Sequence, residues 1–224
     1  MHPTRLVAAV LALCLAAGPG AAEPLIKKSY SYFKVSGQTI EDLESEFSKL
    51  GPMLQDTGNR HAGATRIKLG GSIDYESRKG RCRVIDAKVT LETHLILPRW
   101  NDRKRASPDM ALVWDTLSSD IKRHEERHAE IARNYARELE RALEALRPQR
   151  DCERMQARAD AVTQRIIKRH AADQDRFDRV EAASYQRRME RLLRYKGSQR
   201  TGESSCSDFG PNLRSWRQAP CRTR

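Results

Sequence analysis

The feature that most constrains the fold of this chain is a long segment, from Pro108 to Arg147, that contains no glycine and no internal proline. Apolar residues recur along it at helical spacing: Met110, Val113, Leu117, Ile121, Ile131, Tyr135, Leu139, Ala142 and Leu146. Steps of three and four residues place these side chains on one face of an α-helix. Pro108 and Asp109 suit a first helical turn. The sequence therefore predicts a long helix with one buried apolar stripe.

Two histidines stand where that stripe would otherwise continue, in the pentapeptide His124-Glu125-Glu126-Arg127-His128. Side chains four residues apart share one face of a helix, so both imidazoles can reach the same metal ion. We predict Zn²⁺ as the cofactor, His124 and His128 as its ligands, and Glu125 as the catalytic base that accepts a proton from zinc-bound water. The competing interpretation is a pair of core histidines that are simply hydrogen-bonded.

A catalytic zinc ion needs a third protein ligand, which we expect from the next helix. If that helix folds back antiparallel around Pro148, position 128 lies level with positions 168–171. His170 and Asp173 interrupt the apolar stripe of this helix there, after Met155, Ala159, Val162 and Ile166. We therefore predict His170 as the third ligand and Asp173 as a partner of a ligand. A hydrogen bond of His170 within the helix interface is the alternative.

Three other residues are weaker candidates for the third ligand. Glu181 lies on the same return helix, and His94 lies on a predicted strand. His61 falls in a loop with no supporting pattern.

The first 22 residues have the pattern of a secretory signal peptide. A basic start ends at Arg5, an apolar run extends from Leu6 to Ala17, and Gly20-Ala21-Ala22 forms a small-residue cleavage site. The apolar run is too short for a permanent membrane anchor. We expect a periplasmic or secreted protein with no membrane-spanning segment after cleavage.

Four cysteines remain after such a cleavage: Cys82, Cys152, Cys206 and Cys221. Disulfides are the usual state of cysteines in an oxidising compartment, and four cysteines allow three connectivities. We favour Cys82 with Cys152, which would tie a sheet to the helices, and Cys206 with Cys221 in the tail. A zinc site of four thiolates is the alternative, although no Cys-x-x-Cys spacing occurs.

The remaining pattern predicts an α+β domain. Strands are expected at 30–35, 64–75 and 83–97, a short helix from Thr39 to Leu50, and a second long helix at 151–195. We therefore predict a small antiparallel sheet within residues 29–98, a helical hairpin within 108–196, and a basic tail at 197–224. The domain proper spans 23–196. The strand that ends at Leu97 is expected to be an edge strand that binds an extended substrate by strand addition.

The chain carries a formal net charge of +12. Such a surface can attract anionic partners, for example an anionic component of the cell envelope, and the alternative is that the charge only keeps Arg-rich helices soluble. The basic residues alternate with acids and lack interleaved aromatic side chains, which argues against a groove for nucleic acid.

The order of several motifs resembles the domain-of-unknown-function 922 proteins, bacterial secreted proteins that are predicted zinc-dependent proteases. The similar blocks are Val35-Ser36-Gly37 with a following short helix, Gly51-Pro52, Ala64-Thr65, Cys82, Leu97-Pro98-Arg99-Trp100 and His124-Glu125-Glu126-Arg127-His128-Ala129-Glu130-Ile131. The resemblance extends from about Tyr30 to Tyr185. It implies zinc on His124 and His128, Glu125 as the base, and a Cys82–Cys152 bridge. Relatives carry a His-Gly pair after a Tyr-Asp in the last helix, whereas no histidine follows Phe177-Asp178 here.

The sequence thus favours a periplasmic or secreted zinc metallopeptidase that hydrolyses peptide bonds in an unidentified peptide or protein. The alternative is a non-catalytic envelope protein with a structural metal ion or none, whose basic helices bind an anionic partner.

Overall fold

The computed structural model describes residues 23–53 and 58–201. The elements in chain order are strand β1 (Leu25–Val35), helix α1 (Ile40–Leu50), strands β2 (Ala64–Arg78) and β3 (Arg81–Trp100), helix α2 (Pro108–Glu144) and helix α3 (Cys152–Thr201), with a short 3₁₀ turn at Arg103–Arg105. The predicted α+β class is confirmed. The expected signal peptide and the predicted Cys206–Cys221 pair lie outside the described residues.

The three strands form a mixed sheet in the order β1-β3-β2. β2 and β3 are antiparallel because a tight turn joins them, with positive φ at Lys79 (51°) and Gly80 (68°). β1 is parallel to β3, with Leu25 opposite Thr90. The prediction of an antiparallel sheet was therefore wrong for β1, because the alternation of side chains along a strand carries no information about its direction.

β3 is the central strand, and this position contradicts its predicted role as a substrate-binding edge. From Thr90 to Ile96 its backbone pairs with β1 on one side and with β2 on the other, so this stretch has no free edge for another strand. The edges of the sheet are β1 and β2.

The start of each of the first two helices is determined by a side-chain cap. Thr39 Oγ1 accepts a hydrogen bond from the amide of Asp42, and the Asp42 carboxylate accepts one from the amide of Thr39, which forms a capping box. Ser107 Oγ accepts a hydrogen bond from the amide of Met110, with Pro108 at the first helical position. The capped helix α1 then packs through Leu43 into a small core with Val35, Trp100 and Trp114.

Helix α2 lies between the sheet and α3. The main core consists of residues of β3, α2 and α3: Ala87, Val89, Leu91, Ala132, Tyr135, Ala136, Leu139, Leu143, Ala159, Val162 and Ile166. Of the predicted stripe, Tyr135 and Leu139 are buried in this core, and Ile131, Ala142 and Leu146 pack against it half-buried.

The connection between α2 and α3 is attached to the sheet at Cys82. The backbone of Cys82 exchanges two hydrogen bonds with the backbone of Gln149, at 2.9 and 2.8 Å. A disulfide joins Cys82 to Cys152 at the start of α3, with a Cα–Cα distance of 5.0 Å. The predicted Cys82–Cys152 bridge is confirmed.

The two long helices are aligned differently from the prediction. Position 128 lies opposite positions 174–178 of α3 rather than opposite 168–171, as His128 bonds Gln174 and Asp178. The predicted level assumed a reversal centred on Pro148. The contacts of His128 instead place the centre of the reversal at positions 151–153, midway between 128 and 174–178 and next to the start of α3 at Cys152.

Within residues 23–53 and 58–201, no helix is both long and apolar enough to cross a membrane.

Candidate metal centre

Three side chains from the two long helices converge at one point. The Nε2 atoms of His124 and His128 are 3.0 Å apart. Asp178 Oδ1 lies 3.2 Å from His124 Nε2 and 2.9 Å from His128 Nε2. Among the described residues, these three side chains form a group that could hold a metal ion, because their ligand atoms all lie within 4.8 Å of one another.

The chemistry of these three atoms fits a divalent metal ion. Zinc–nitrogen distances of about 2.0–2.1 Å separate the ligand atoms of a tetrahedral site by about 3.3 Å. The three observed separations are 2.9, 3.0 and 3.2 Å, which is close to that value. Each of the three atoms can offer a lone pair, and a cation between them would satisfy all three.

The other ring nitrogens of both histidines face oxygen atoms. His128 Nδ1 lies 2.6 Å from Gln174 Oε1. His124 Nδ1 lies 3.8 Å from Glu181 Oε2. Metal-binding histidines usually direct the second ring nitrogen at such an acceptor, which fixes the orientation of the ring. Both histidines therefore have the surroundings of metal ligands on both sides.

Glu181, a weaker candidate for the third ligand, is engaged on the far side of His124. Its carboxylate bonds Arg123 and lies 3.1 Å from Arg188 Nη2. Two arginines neutralise this carboxylate, and it faces Nδ1 rather than the Nε2 atom of the cluster. The structure thus places Glu181 as a partner of His124.

Burial and neighbouring charges shift the pKa of His124. Burial lowers the pKa of His124, the nearby His128 lowers it further, and the carboxylates of Asp178 and Glu181 oppose this decrease. The ring is therefore neutral at pH 7, which is the form that binds metal ions.

Glu125 points from α2 toward the start of β2 and is only 5% exposed. Thr65 Oγ1 lies 2.8 Å from its Oε2 atom and 2.9 Å from its backbone oxygen. Burial raises the pKa of Glu125, although the Thr65 hydroxyl and the charge of His128 counteract part of that increase. The carboxylate thus has one oxygen held by the sheet and an increased affinity for protons.

A glycine lies beside the second carboxylate oxygen. A Cβ atom at Gly63 would lie 3.0 Å from Glu125 Oε1 and 2.7 Å from Ile121 Cγ2. Such separations are too short for an unstrained side chain, so glycine at this position leaves room for the Glu125 carboxylate.

His170 and Asp173 lie one to two turns away from the predicted position, level with Tyr135. Tyr135 donates a hydrogen bond of 2.6 Å to Asp173 Oδ2, and its ring contacts the edge of His170. His170 Nε2 lies 2.8 Å from Gln174 Nε2. His170 therefore reaches His128 through Gln174 and is not part of the three-residue cluster.

The weaker histidine candidates lie elsewhere in the described structure. His94 is on the sheet face opposite α2, where its ring bonds Ser29 at 2.9 Å and Ser31 at 2.8 Å. His61 precedes β2, and its backbone amide bonds the oxygen of Pro52. Neither belongs to the cluster.

Phe177 covers the two histidines on the α3 side. Its ring stacks on His124 with centroids 4.9 Å apart and meets the ring of His128 edge-on at 5.0 Å. It also lines a cavity of about 610 Å³ together with Arg123, Arg127 and Glu181. Neighbours of the three-residue cluster line this cavity, whereas His124, His128 and Asp178 do not.

Several residues of this site were not predicted from the sequence: Gly63, Thr65, Gln174, Phe177 and Asp178. Gln174 and Asp178 are four residues apart, the same spacing as His124 and His128, so their side chains share a face of α3. That spacing was a usable signal.

A family model described as bacterial protein of unknown function (DUF922) matches residues 30–186. No curated protein and no solved structure matches the chain. The matched segment includes β1 from Tyr30 onward, the whole of β2, β3 and α2, and α3 through Gln186, so it contains every residue of the metal cluster. This chain belongs to the DUF922 family of bacterial proteins of unknown function.

Proposed function

We propose that this protein is an exported zinc-dependent peptidase. The observation that carries the proposal is the convergence of His124, His128 and Asp178 next to the buried carboxylate of Glu125. Two imidazole nitrogens and one carboxylate oxygen are a ligand set that zinc enzymes use, with a remaining position for water or substrate.

His124, His128 and Asp178 would hold the zinc ion. When bound, such an ion polarises a carbonyl group and lowers the pKa of a coordinated water molecule to about 7. The two imidazoles are neutral donors, and Asp178 supplies one negative charge.

Glu125 would move the proton. The pKa of this carboxyl group responds to the charges of His128 and Asp178, so the group lies within electrostatic reach of the cluster. Thr65 holds Oε2, which leaves Oε1 to accept a proton from water and to pass it to the leaving amine. Burial raises the pKa of the Glu125 carboxyl group, and this makes it a stronger base.

Two observations support export to the periplasm or the cell exterior. A disulfide joins Cys82 to Cys152, and such bonds persist in oxidising compartments. The first 22 residues have the composition of a signal peptide.

A second candidate function is a non-catalytic metal protein of the envelope. It is favoured by the packing of Phe177 on both imidazole rings, which restricts the approach of a substrate to the cluster. In that case the metal ion would stabilise the pairing of α2 with α3, and the basic surface would bind an anionic partner.

The test is a comparison of two adjacent glutamate variants. Glu125→Gln is nearly isosteric and should keep zinc and fold, but it cannot accept a proton, so hydrolysis should decrease by roughly 10²–10⁴-fold. Glu126→Gln is the matched control, because Glu126 bonds Lys28 and Tyr30 of β1 and lies outside the metal cluster.

The measurements are the zinc content of each purified protein and cleavage of an unbiased peptide library at neutral pH. Zinc with activity in wild type and Glu126→Gln, but not in Glu125→Gln, supports the peptidase. Equal cleavage by Glu125→Gln and wild type would contradict it. Stoichiometric zinc without cleavage by any of the three proteins would favour the non-catalytic function.

A further inference from the structure

Gln174 makes three polar contacts, all to groups near the metal cluster. Its Oε1 atom lies 2.6 Å from His128 Nδ1. Its Nε2 atom lies 3.1 Å from the backbone oxygen of His128 and 2.8 Å from His170 Nε2. One amide group therefore connects the ring and backbone of His128 to a second histidine.

The backbone oxygen of His128 determines which way the amide is turned. A carbonyl oxygen can only accept a hydrogen bond, so the atom of Gln174 that faces it must be the NH₂ group. The reversed amide would place two acceptor oxygens 3.1 Å apart. The contact therefore assigns Oε1, which is also only an acceptor, to the atom facing His128 Nδ1.

This orientation determines the tautomer of His128. An acceptor 2.6 Å from Nδ1 requires a proton on Nδ1. A neutral imidazole carries one ring proton, so Gln174 favours the form with the lone pair on Nε2, whereas the Asp178 carboxylate, 2.9 Å from Nε2, competes for that proton unless a cation lies between the two atoms. We propose that Gln174 is a positioning residue that holds His128 in the Nδ1–H tautomer and thereby prepares Nε2 to bind the metal ion.

The same amide assigns a role to His170. The second N–H of Gln174 points at His170 Nε2, so this nitrogen accepts a hydrogen bond, and its lone pair is engaged. His170 is accordingly a partner of Gln174 rather than a metal ligand. His170 accepts a hydrogen bond from the second N–H of Gln174, which further fixes the orientation of the amide.

This inference deepens the proposed function, and it rests on the metal site and not on hydrolysis. The test variant is Gln174→Met, which keeps the length of the side chain and a high helix propensity but removes both the acceptor and the donor. The matched control is Gln186→Met on the same helix. Gln186 is exposed and bonds Glu190, away from the cluster.

The first readout is the ¹⁵N NMR spectrum of the histidine rings in metal-free protein that carries Asp178→Ala, because this variant removes the competing acceptor beside Nε2 and the spectrum reports the protonated nitrogen of His128 directly. We expect Nδ1–H in this background and with Gln186→Met added, and a shift toward the Nε2–H form with Gln174→Met added. The second readout is zinc affinity in competition with a chromogenic chelator. Gln174→Met should bind zinc about 10–100-fold more weakly, as is usual when a partner of a metal-binding histidine is removed.

The NMR readout needs no metal ion, so it separates this inference from the proposed function. An Nε2–H tautomer for His128 in the Asp178→Ala background would overturn the inference, even if the wild type binds zinc and cleaves peptides. An unchanged tautomer together with unchanged zinc affinity in Gln174→Met would overturn it as well. Absence of zinc binding by the wild type would instead refute the proposed zinc enzyme, and the tautomer would still test Gln174.

Discussion

Arg188 joins the two long helices just beyond the metal cluster. It bonds Asp120 twice, from Nε at 2.9 Å and from Nη2 at 3.1 Å, and its Nη2 atom lies 3.1 Å from Glu181. The side chains are only 13%, 5% and 16% exposed, in that order. Arg123 is the second cation of this group, with Nε 3.0 Å from Asp120 Oδ1. Two arginines and two acids thus form a compact, electrically balanced group.

Arg188→Met should destabilise the fold, because it leaves a buried carboxylate with part of its partners missing. Breaking a buried ion pair costs about 3–5 kcal/mol. Arg123 remains beside Asp120, so we expect the lower end, about 3 kcal/mol. For a domain of this size this corresponds to a decrease in Tm of about 6–12 °C. The exposed Arg187→Met is the matched control and should change Tm by about 1 °C or less.

The pH dependence of the loss has a defined sign. Burial alone would raise the pKa of Asp120, but hydrogen bonds from Arg188 and Arg123 outweigh this effect and lower it. A carboxyl group whose pKa is lowered on folding stabilises the protein above its unfolded pKa of about 3.9 and loses that contribution as the pH falls through the folded value.

The assay is urea unfolding of wild type, Arg188→Met and Arg187→Met across a range of pH. The stability difference between wild type and Arg188→Met should be constant from about pH 6 to 8 and decrease below about pH 4. Equal stability of the two variants at pH 7 would refute the reasoning, since the ion group would then contribute nothing to the pairing of α2 with α3.

Three further predictions concern the ligands, the base and the disulfide. Asp178→Ala removes a proposed ligand and should weaken zinc binding by more than about 100-fold. His170 acts only through the Gln174 amide, so His170→Ala should weaken zinc binding by about tenfold. Chelator competition measures both affinities, and a larger loss in His170→Ala than in Asp178→Ala would identify His170 as the ligand. Gly63→Ala places a Cβ atom 3.0 Å from the oxygen of the proposed base and should lower kcat while zinc content is unchanged, and loss of zinc instead would contradict this. The double variant Cys82→Ala/Cys152→Ala should lose about 2–5 kcal/mol in urea unfolding, and an unchanged midpoint would refute that.

Most of the fold could be predicted from local pattern. The long helix at 108–147 ends as α2 at Glu144, and the cap at Thr39 begins α1 as expected. Both signals depend on spacing within one segment, which the sequence contains completely. The direction of β1 could not be predicted in this way, because strand pairing depends on how distant segments meet.

The candidate metal site has a part that lies within one helix and could be predicted from the sequence, and a part from a distant segment that could not. His124 and His128 lie four residues apart on one helix, so their convergence followed from helix geometry alone. The third member depended on the alignment of α3 along α2. The connection that pairs with Cys82 at Gln149 lies between the two helices, and beyond it His128 is level with Asp178 rather than with His170.

The two adjacent glutamates of the pentapeptide have different surroundings, although they are neighbours in the chain. Successive residues of an α-helix are turned by about 100° from one another, so Glu125 and Glu126 project in different directions. Glu126 bonds Lys28 and Tyr30 of β1. Glu125 instead lies 5% exposed against Thr65 of β2, and its pKa responds to His128 and Asp178. Sheet and helix together therefore give two chemically identical side chains different surroundings, and only Glu125 has those of the proposed base, which is why exchanging the two for glutamine one at a time is the sharpest comparison this chain offers.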